Sequence, residues 1–298
     1  MRGRSSAGLV AVALVSAPVL AGTLYSLAAA FGAAGAGAGE WGTSRITRVI
    51  ASSETWWSVL WTLYTAGVAT IVAAVAAIIL SVVLQRSRIG RALAVLPLAV
   101  PYVAAGLAAL LLLGQSGFLS RLAFAAGAIS EPSQFPALVY DRPGVALILA
   151  FAWKEFPFLA LTAFAVLDTR GVELADTART LGAGAVATFQ RVTLPLLWRG
   201  IAPATIAGFA YLVGQYELAV LLAPSAPQPL SVLTYERAQD PDLARRGEAH
   251  VLGLVAMTLC GALVVVHGRS LRGVQGDVSS EASDAAPGNV RQERTHAA

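Results

Sequence analysis

The sequence predicts an all-α polytopic membrane protein with six transmembrane helices, and three observations carry that reading. Hydrophobic residues make up 56% of the 298 residues and charged residues only 13%, about half the roughly 25% of an ordinary soluble domain. Mean hydropathy is +0.68. The apolar residues also gather in six long blocks, and about 20 such residues in a row are enough to cross a bilayer as a helix.

Counting excludes several function classes. The 21 basic residues are arginines except for Lys154, which Glu155 follows, so the chain holds no G-x-x-x-x-G-K-[ST] phosphate loop. Any ATP the protein uses must be bound by another polypeptide. Cys260 is the single cysteine, and His250, His267 and His296 stand apart, so neither a disulfide framework nor an H-E-x-x-H metal motif is expected. No nucleophile or metal constellation suggests an enzyme. The surplus of four positive charges is absorbed by membrane topology and carries no nucleic-acid signal.

The blocks follow in order. The first, about Ala7 to Phe31, stands behind Arg2 and Arg4. Its apolar run is too long for a cleaved signal, whose core is about 7–15 residues, so an uncleaved span is expected. Gly32–Gly39 reads as a flexible connector. The second block, about Ser58 to Leu84, has Trp56, Trp57, Trp61 and Tyr64 at one end, as an interfacial belt would place them. A basic turn at Gln85–Arg91 leads to the third block, about Ala92 to Gly114, where Pro97 and Pro101 predict a kinked span. Residues 115–142 form a loop with an interfacial helix near Leu119–Ala128. The fourth block is Pro143 to Leu167, the fifth about Gly200 to Ala223 and the sixth about Ala249 to His267. The polar tail 268–298 is expected to be disordered.

Arginines orient the spans. With the N-terminus inside, 13 basic residues face the cytoplasm and seven face out, the sense in which basic residues distribute around short loops. Both termini are then cytoplasmic.

Between the fourth and fifth blocks lies D-T-R-G-V-E-L-A-D-T-A-R-T-L-G-A-G-A-V-A-T-F-Q-R-V-T-L-P-L-L-W-R-G, from Asp168 to Gly200. Val172, Ala175, Ala178 and Leu181 form one stripe of a short amphipathic helix. Gly182-Ala183-Gly184 suits a turn with positive φ. A second short helix follows, with Val186, Phe189 and Val192 on one face, and Pro195 fits the first turn of the next span.

This loop resembles the EAA loop of the permease subunits of binding-protein-dependent ABC importers. The family pattern is Glu-Ala-Ala, a Gly six residues after the Glu, and an Ile/Val-x-Leu-Pro ending. Asp176, Thr177 and Ala178 stand in the first three places, Gly182 in the fourth, and Val192-Thr193-Leu194-Pro195 at the end. Asp for Glu and Thr for Ala are departures. W-K-E-F-P-F-L-A before the loop, and G-Q-Y-E-L-A-V-L-L-A-P with P-L-S-V-L-T-Y after it, are similar to the polyamine, thiamine, iron and sulfate branch. The resemblance implies a type I ABC importer permease fold, with residues 1–55 as first span and external connector, 56–267 as permease core and 268–298 as tail. It implies an ATPase-coupling loop over about 168–199, carried by Glu173, Asp176, Ala178, Gly182, Ala183, Phe189, Leu194 and Pro195. The implied partners are an ABC ATPase dimer that binds ATP and Mg, a second permease subunit (a sibling or another copy), an extracytoplasmic substrate-binding protein and membrane lipid, in the cell's inner membrane. No cofactor is expected in this chain.

Charges inside the spans mark a second set of candidates: Lys154 and Glu155 in the fourth block, and Gln215, Tyr216 and Glu217 in the fifth. A charge at membrane depth costs a few kcal/mol and usually faces a cavity or a partner. Lys154 is within reach of Glu217, so these residues either line a translocation path or pair to hold two spans together. The two acids would suit a cationic solute, but the solute class stays open among polyamine, thiamine, metal and oxyanion. The rival reading is a self-contained secondary transporter or channel, which would need neither an ATPase nor the 172–195 pattern.

Overall fold

The computed structural model describes residues 3–35, 38–39 and 41–284. Six of its helices are long and apolar enough to cross a membrane, and all regular structure among the described residues is helical. Helix α1 (Gly3–Ala30) lies almost wholly exposed along the bundle. The connector after it returns through the short amphipathic α2 (Ser44–Ala51). Helix α3 (Ser53–Leu84) is the longest fully described span and begins five residues before its apolar block, because Glu54 and the tryptophans extend it to the interface.

The third span is broken. Helix α4 (Arg88–Val95) passes into a 3₁₀ turn at Leu96–Ala99, and α5 (Tyr102–Leu113) restarts after Pro101. Proline lacks an N–H and disfavours helix in the residue before it, so the expected kink is a complete interruption. A short α6 (Phe118–Ala125) follows, in place of the expected Leu119–Ala128 helix.

Helix α7 (Val145–Val166) is the central element. It runs in the same direction as α3 and packs along it, and Trp61 Nε1 donates to the Arg142 carbonyl at 2.8 Å where the two begin. The seam is built from small residues: Ala66, Ala69, Ala73 and Ala77 are buried on α3, and Ala146, Ala150, Ala160 and Ala163 on α7. Small side chains let the backbones approach, and in lipid that contact replaces the hydrophobic effect as the source of packing energy.

The loop between the fourth and fifth spans contains α8 (Val172–Thr180) and the single-turn α9 (Ala185–Thr188). Helix α10 (Leu194–Val213) crosses back, and α11 (Glu217–Leu222) follows a break at residues 214–216. The fifth block was expected at Gly200–Ala223; the regular helix instead ends at Val213. There the Gln215 side chain turns back and its Oε1 accepts the Glu217 N–H at 2.8 Å, a local bond that replaces the helical one.

Helix α12 (Leu230–Gln239) occupies what reads as an external loop. Its first N–H groups are held by α3, Leu230 N donating to Thr62 Oγ1 at 2.8 Å, and Arg237 pairs with Glu54. Helix α13 (Leu243–Asp284) begins earlier than the sixth block and continues beyond it. The expected coil at 268–284 is thus drawn as helix, with no proline before Pro287 to stop it; residues 285–298 lie outside the described residues, as do Arg2 and residues 36, 37 and 40 of the connector.

Candidate functional site

Two regions hold the candidate residues: the loop between the fourth and fifth spans, and the broken helices in the middle of the bundle. The loop is suspended between two π turns, Leu167–Gly171 and Phe189–Thr193. Such one-residue insertions are uncommon and recur at functional sites. They rotate the chain, which corrects one expectation. Val186, Phe189 and Val192 do not share a face, since Phe189 packs on the core while Val186 is 69% exposed.

Between the π turns, α8 ends in a left-handed turn. Gly182 has φ +89°, and an added Cβ there would meet nothing within 4 Å. The glycine is needed for its backbone angle alone, as the helix C-terminus requires. Ala183 N closes the turn on the Ala178 carbonyl at 3.0 Å, and Gly182 N on that of Arg179 at 2.9 Å. Glu173 and Asp176 are exposed, and Asp176 meets Arg179 loosely at 3.6 Å. Leu174 and Leu181 are 46% and 84% exposed. With Val186 they are three large apolar side chains left uncovered on a charged loop, an apolar ridge of the kind that buries itself in a partner. Leu194 turns inward onto the core, and Pro195 opens α10 at the surface. The side chain of Val172 lies outside the described residues.

Behind α8 a cavity of about 220 Å³ separates it from the end of α3. The helix is therefore held chiefly by its ends. At one end Arg91 of α4 forks onto Asp168, at 2.5 and 3.1 Å, and its guanidinium sits 4.6 Å from the centre of the Phe164 ring. The hydrogen bonds that Arg91 donates to Asp168 push its already high pKa further up. Both side chains are substantially exposed, 33% and 50%, so the pair is worth about 1 kcal/mol or less. It fixes the position of the loop more than it stabilises the fold. Arg91→Ala should accordingly leave membrane insertion unchanged yet lower uptake by roughly 2- to 30-fold, the range for side chains lying between coupled sites. The exchange Arg91→Asp with Asp168→Arg should recover much of the loss in the same uptake assay. The sequence showed the basic turn but not this contact, which joins residues 77 positions apart.

In the bundle Lys154 and Glu217, which the sequence left as either path-lining residues or a pair, form no ion pair among the described residues. Lys154 is 4% exposed, and its Nζ donates to the carbonyls of Pro97 and Val100 at 2.8 and 2.6 Å. Breaking the third span freed backbone acceptors, and these carbonyls satisfy donors of the Lys154 ammonium at hydrogen-bond distance. The same Nζ lies 4.5 Å from the centre of the Tyr102 ring, which contacts Tyr211 of α10. Glu217 is exposed at the start of α11. Tyr216 stacks at a tilt on Tyr235, 4.9 Å between centres. Gln215 is buried, its Oε1 used by Glu217 N and its Nε2 without a partner. Glu155, the next residue of α7, is buried against Gly208 of α10. The fold therefore brings Lys154, Tyr102 and Tyr211 together with the helix break, and Glu155 with Gly208, while Glu217 makes no ion pair with Lys154. The signal for the first contact was in the sequence, as a lone Lys in one span and Pro97-x-x-x-Pro101 in another.

A family model described as "Binding-protein-dependent transport system inner membrane component" matches residues 85–272. Among curated proteins, the molybdenum transport system permease protein ModB of Mycobacterium tuberculosis is 30% identical over 203 residues, covering 65% of this chain and 72% of its own length. The probable sulfate transport system permease protein cysT of Anthoceros angustus is 27% identical over 175 residues, covering 58% and 57%. Among solved structures, a bacterial ABC transporter involved in the import of alginate superposes with a TM-score of 0.69 at 18% identity, over 90% of this chain and 94% of the other. A second structure of a bacterial alginate transporter, in complex with a pentasaccharide-bound periplasmic protein, gives 0.68 at 16% identity over the same shares.

Proposed function

Since the chain belongs to the family of binding-protein-dependent transport inner membrane components, and is thus a permease subunit of an ABC importer, we propose that it carries an oxyanion of the molybdate or sulfate class. The named solutes of ModB and cysT support that class. So does the basic side chain of Lys154, buried in the fourth span. A separate ATPase dimer drives the cycle, a second permease subunit completes the path, and a binding protein delivers the solute from outside.

The observation that carries the coupling part of this reading is the apolar ridge Leu174–Leu181–Val186 on its left-handed turn. An importer converts ATPase closure into span movement, and only a difference in contact energy between two states can do that work. A rigid short helix, exposed at its ridge and tied to α4 and α7 at its ends, is suited to it. Loading proteoliposomes that hold the permease, its ATPase and its binding protein with radiolabelled molybdate or sulfate tests the solute class. ATP-dependent accumulation of either anion supports it, and accumulation of a polyamine or thiamine instead would refute it.

In this reading Gly182 and Arg88 are cytoplasmic and Trp41 and Asp240 external, with both termini inside. The excess of arginine on the Gly182 side supports it. Single cysteines at these positions, introduced into a Cys260→Ala background, should react with an impermeant maleimide from opposite sides. Same-side labelling of positions 182 and 240 would contradict the topology.

A further inference from the structure

Glu155 sits in the spans and leaves one carboxyl oxygen without a partner. It is 4% exposed, and Oε1 makes no hydrogen bond. Helix α10 accommodates it by presenting Gly208, where an added Cβ would lie 1.8 Å from Oε1 and 2.6 Å from the carboxyl carbon. The acid therefore occupies the notch left by an absent side chain, against helix backbone.

Few ionisable groups face this region. Lys154, next to it on α7, directs its charge to the Pro97 and Val100 carbonyls. Tyr102 of α5 is near both Glu155 and Glu217 of α11, and Tyr211 of α10 lies against Tyr102. None of the ion pairs among the described residues includes Glu155. An ionised carboxylate without donors is far costlier to bury than the neutral acid. The acid also has a proton to share with a carbonyl of the surrounding helices, which an anion does not.

We propose that Glu155 is held as the undissociated carboxylic acid, so that it does not offset the charge of Lys154 beside it and the surrounding interior favours an anionic solute. The preference for anions rests on the oxyanion reading above. The proton on Glu155 rests on the surroundings of that side chain. In this arrangement Glu155 sets the charge selectivity of the interior by being neutral, and Gly208 is the positioning residue that makes its place.

Infrared difference spectroscopy of the membrane-embedded complex, unaltered against Glu155→Gln, tests this. The unaltered complex should show at neutral pH the carbonyl stretch of a protonated carboxyl group, shifted in D₂O and absent from the variant. Glutamine keeps the shape and the neutrality, so Glu155→Gln should assemble with the ATPase and import solute within about threefold of the unaltered protein. Gly208→Ala should displace the carboxyl group and alter or remove the band. Absence of the band at neutral pH would overturn the proposal, and so would failure of Glu155→Gln to assemble or a loss of import beyond about tenfold. A band that persists in a complex importing a cation would refute the oxyanion reading and leave the protonation intact.

Discussion

Gly182→Val should insert in the membrane normally and lose most ATP-driven uptake. The position has φ +89° and open space around it, so the cost is backbone strain and not collision. A β-branched residue held in that region costs about 1–3 kcal/mol, which corresponds to roughly 5- to 150-fold in the population of the native turn. That turn sets the angle between α8 and α9, and with it the ridge of Leu174, Leu181 and Val186. Uptake and stimulated ATP hydrolysis should therefore fall along the series Gly182→Asn, Gly182→Ala and Gly182→Val. Asparagine tolerates left-handed backbone and should be the mildest. A series ordered by side-chain volume would show instead that packing governs the position. Asp176→Arg should give the same coupling defect by another route, with a wrong-sign charge beside the ridge. If both variants failed to insert, the loop would be a structural element.

Lys154→Ala should be the most destabilising single change in the bundle. It strips two short charged hydrogen bonds from the carbonyls at the break between α4 and α5. Each such bond is worth about 1.5–3 kcal/mol. An unfolded chain in the bilayer also finds partners, so a net loss of roughly 2–4 kcal/mol is expected. Lys154→Met, which keeps the volume but donates nothing, should do nearly as much damage in thermal unfolding of the detergent-solubilised protein. Because Lys154 does not meet Glu217, the double variant Lys154→Ala/Glu217→Ala should lose the sum of the single losses, as separate sites do. A double variant no worse than Lys154→Ala would restore the pair.

The spans were legible because composition and block length report the bilayer directly, and the loop because a positive-φ glycine and a spaced Leu-Pro ending are local demands of the chain. The ends of elements were less legible. The fifth span was placed too late, because apolar residues continue through Ala223 while the backbone at 214–216 is turned by a side-chain bond from Gln215. Helix α12 was hidden in a polar stretch whose stability comes from Thr62 and Glu54 on α3. The partners of the buried charges were not legible at all. Lys154 was matched to the nearest acid by depth, whereas broken helices supply carbonyls that carry no mark in the sequence. The fork of Arg91 on Asp168 joins two loops across the bundle, and the room for Glu155 depends on a glycine 53 residues away, at position 208.

The central claim is that this chain moves solute only when a separate ATPase acts on its 172–195 loop. Proteoliposomes holding the permease and loaded binding protein, with ATP supplied on the loop side, test it when prepared with and without the ATPase subunit. Uptake should appear only with both ATPase and ATP, and should vanish when Gly182→Val replaces the unaltered permease. Uptake in the absence of the ATPase, driven by an ion gradient or by the solute gradient alone, would identify a self-contained transporter and contradict the account.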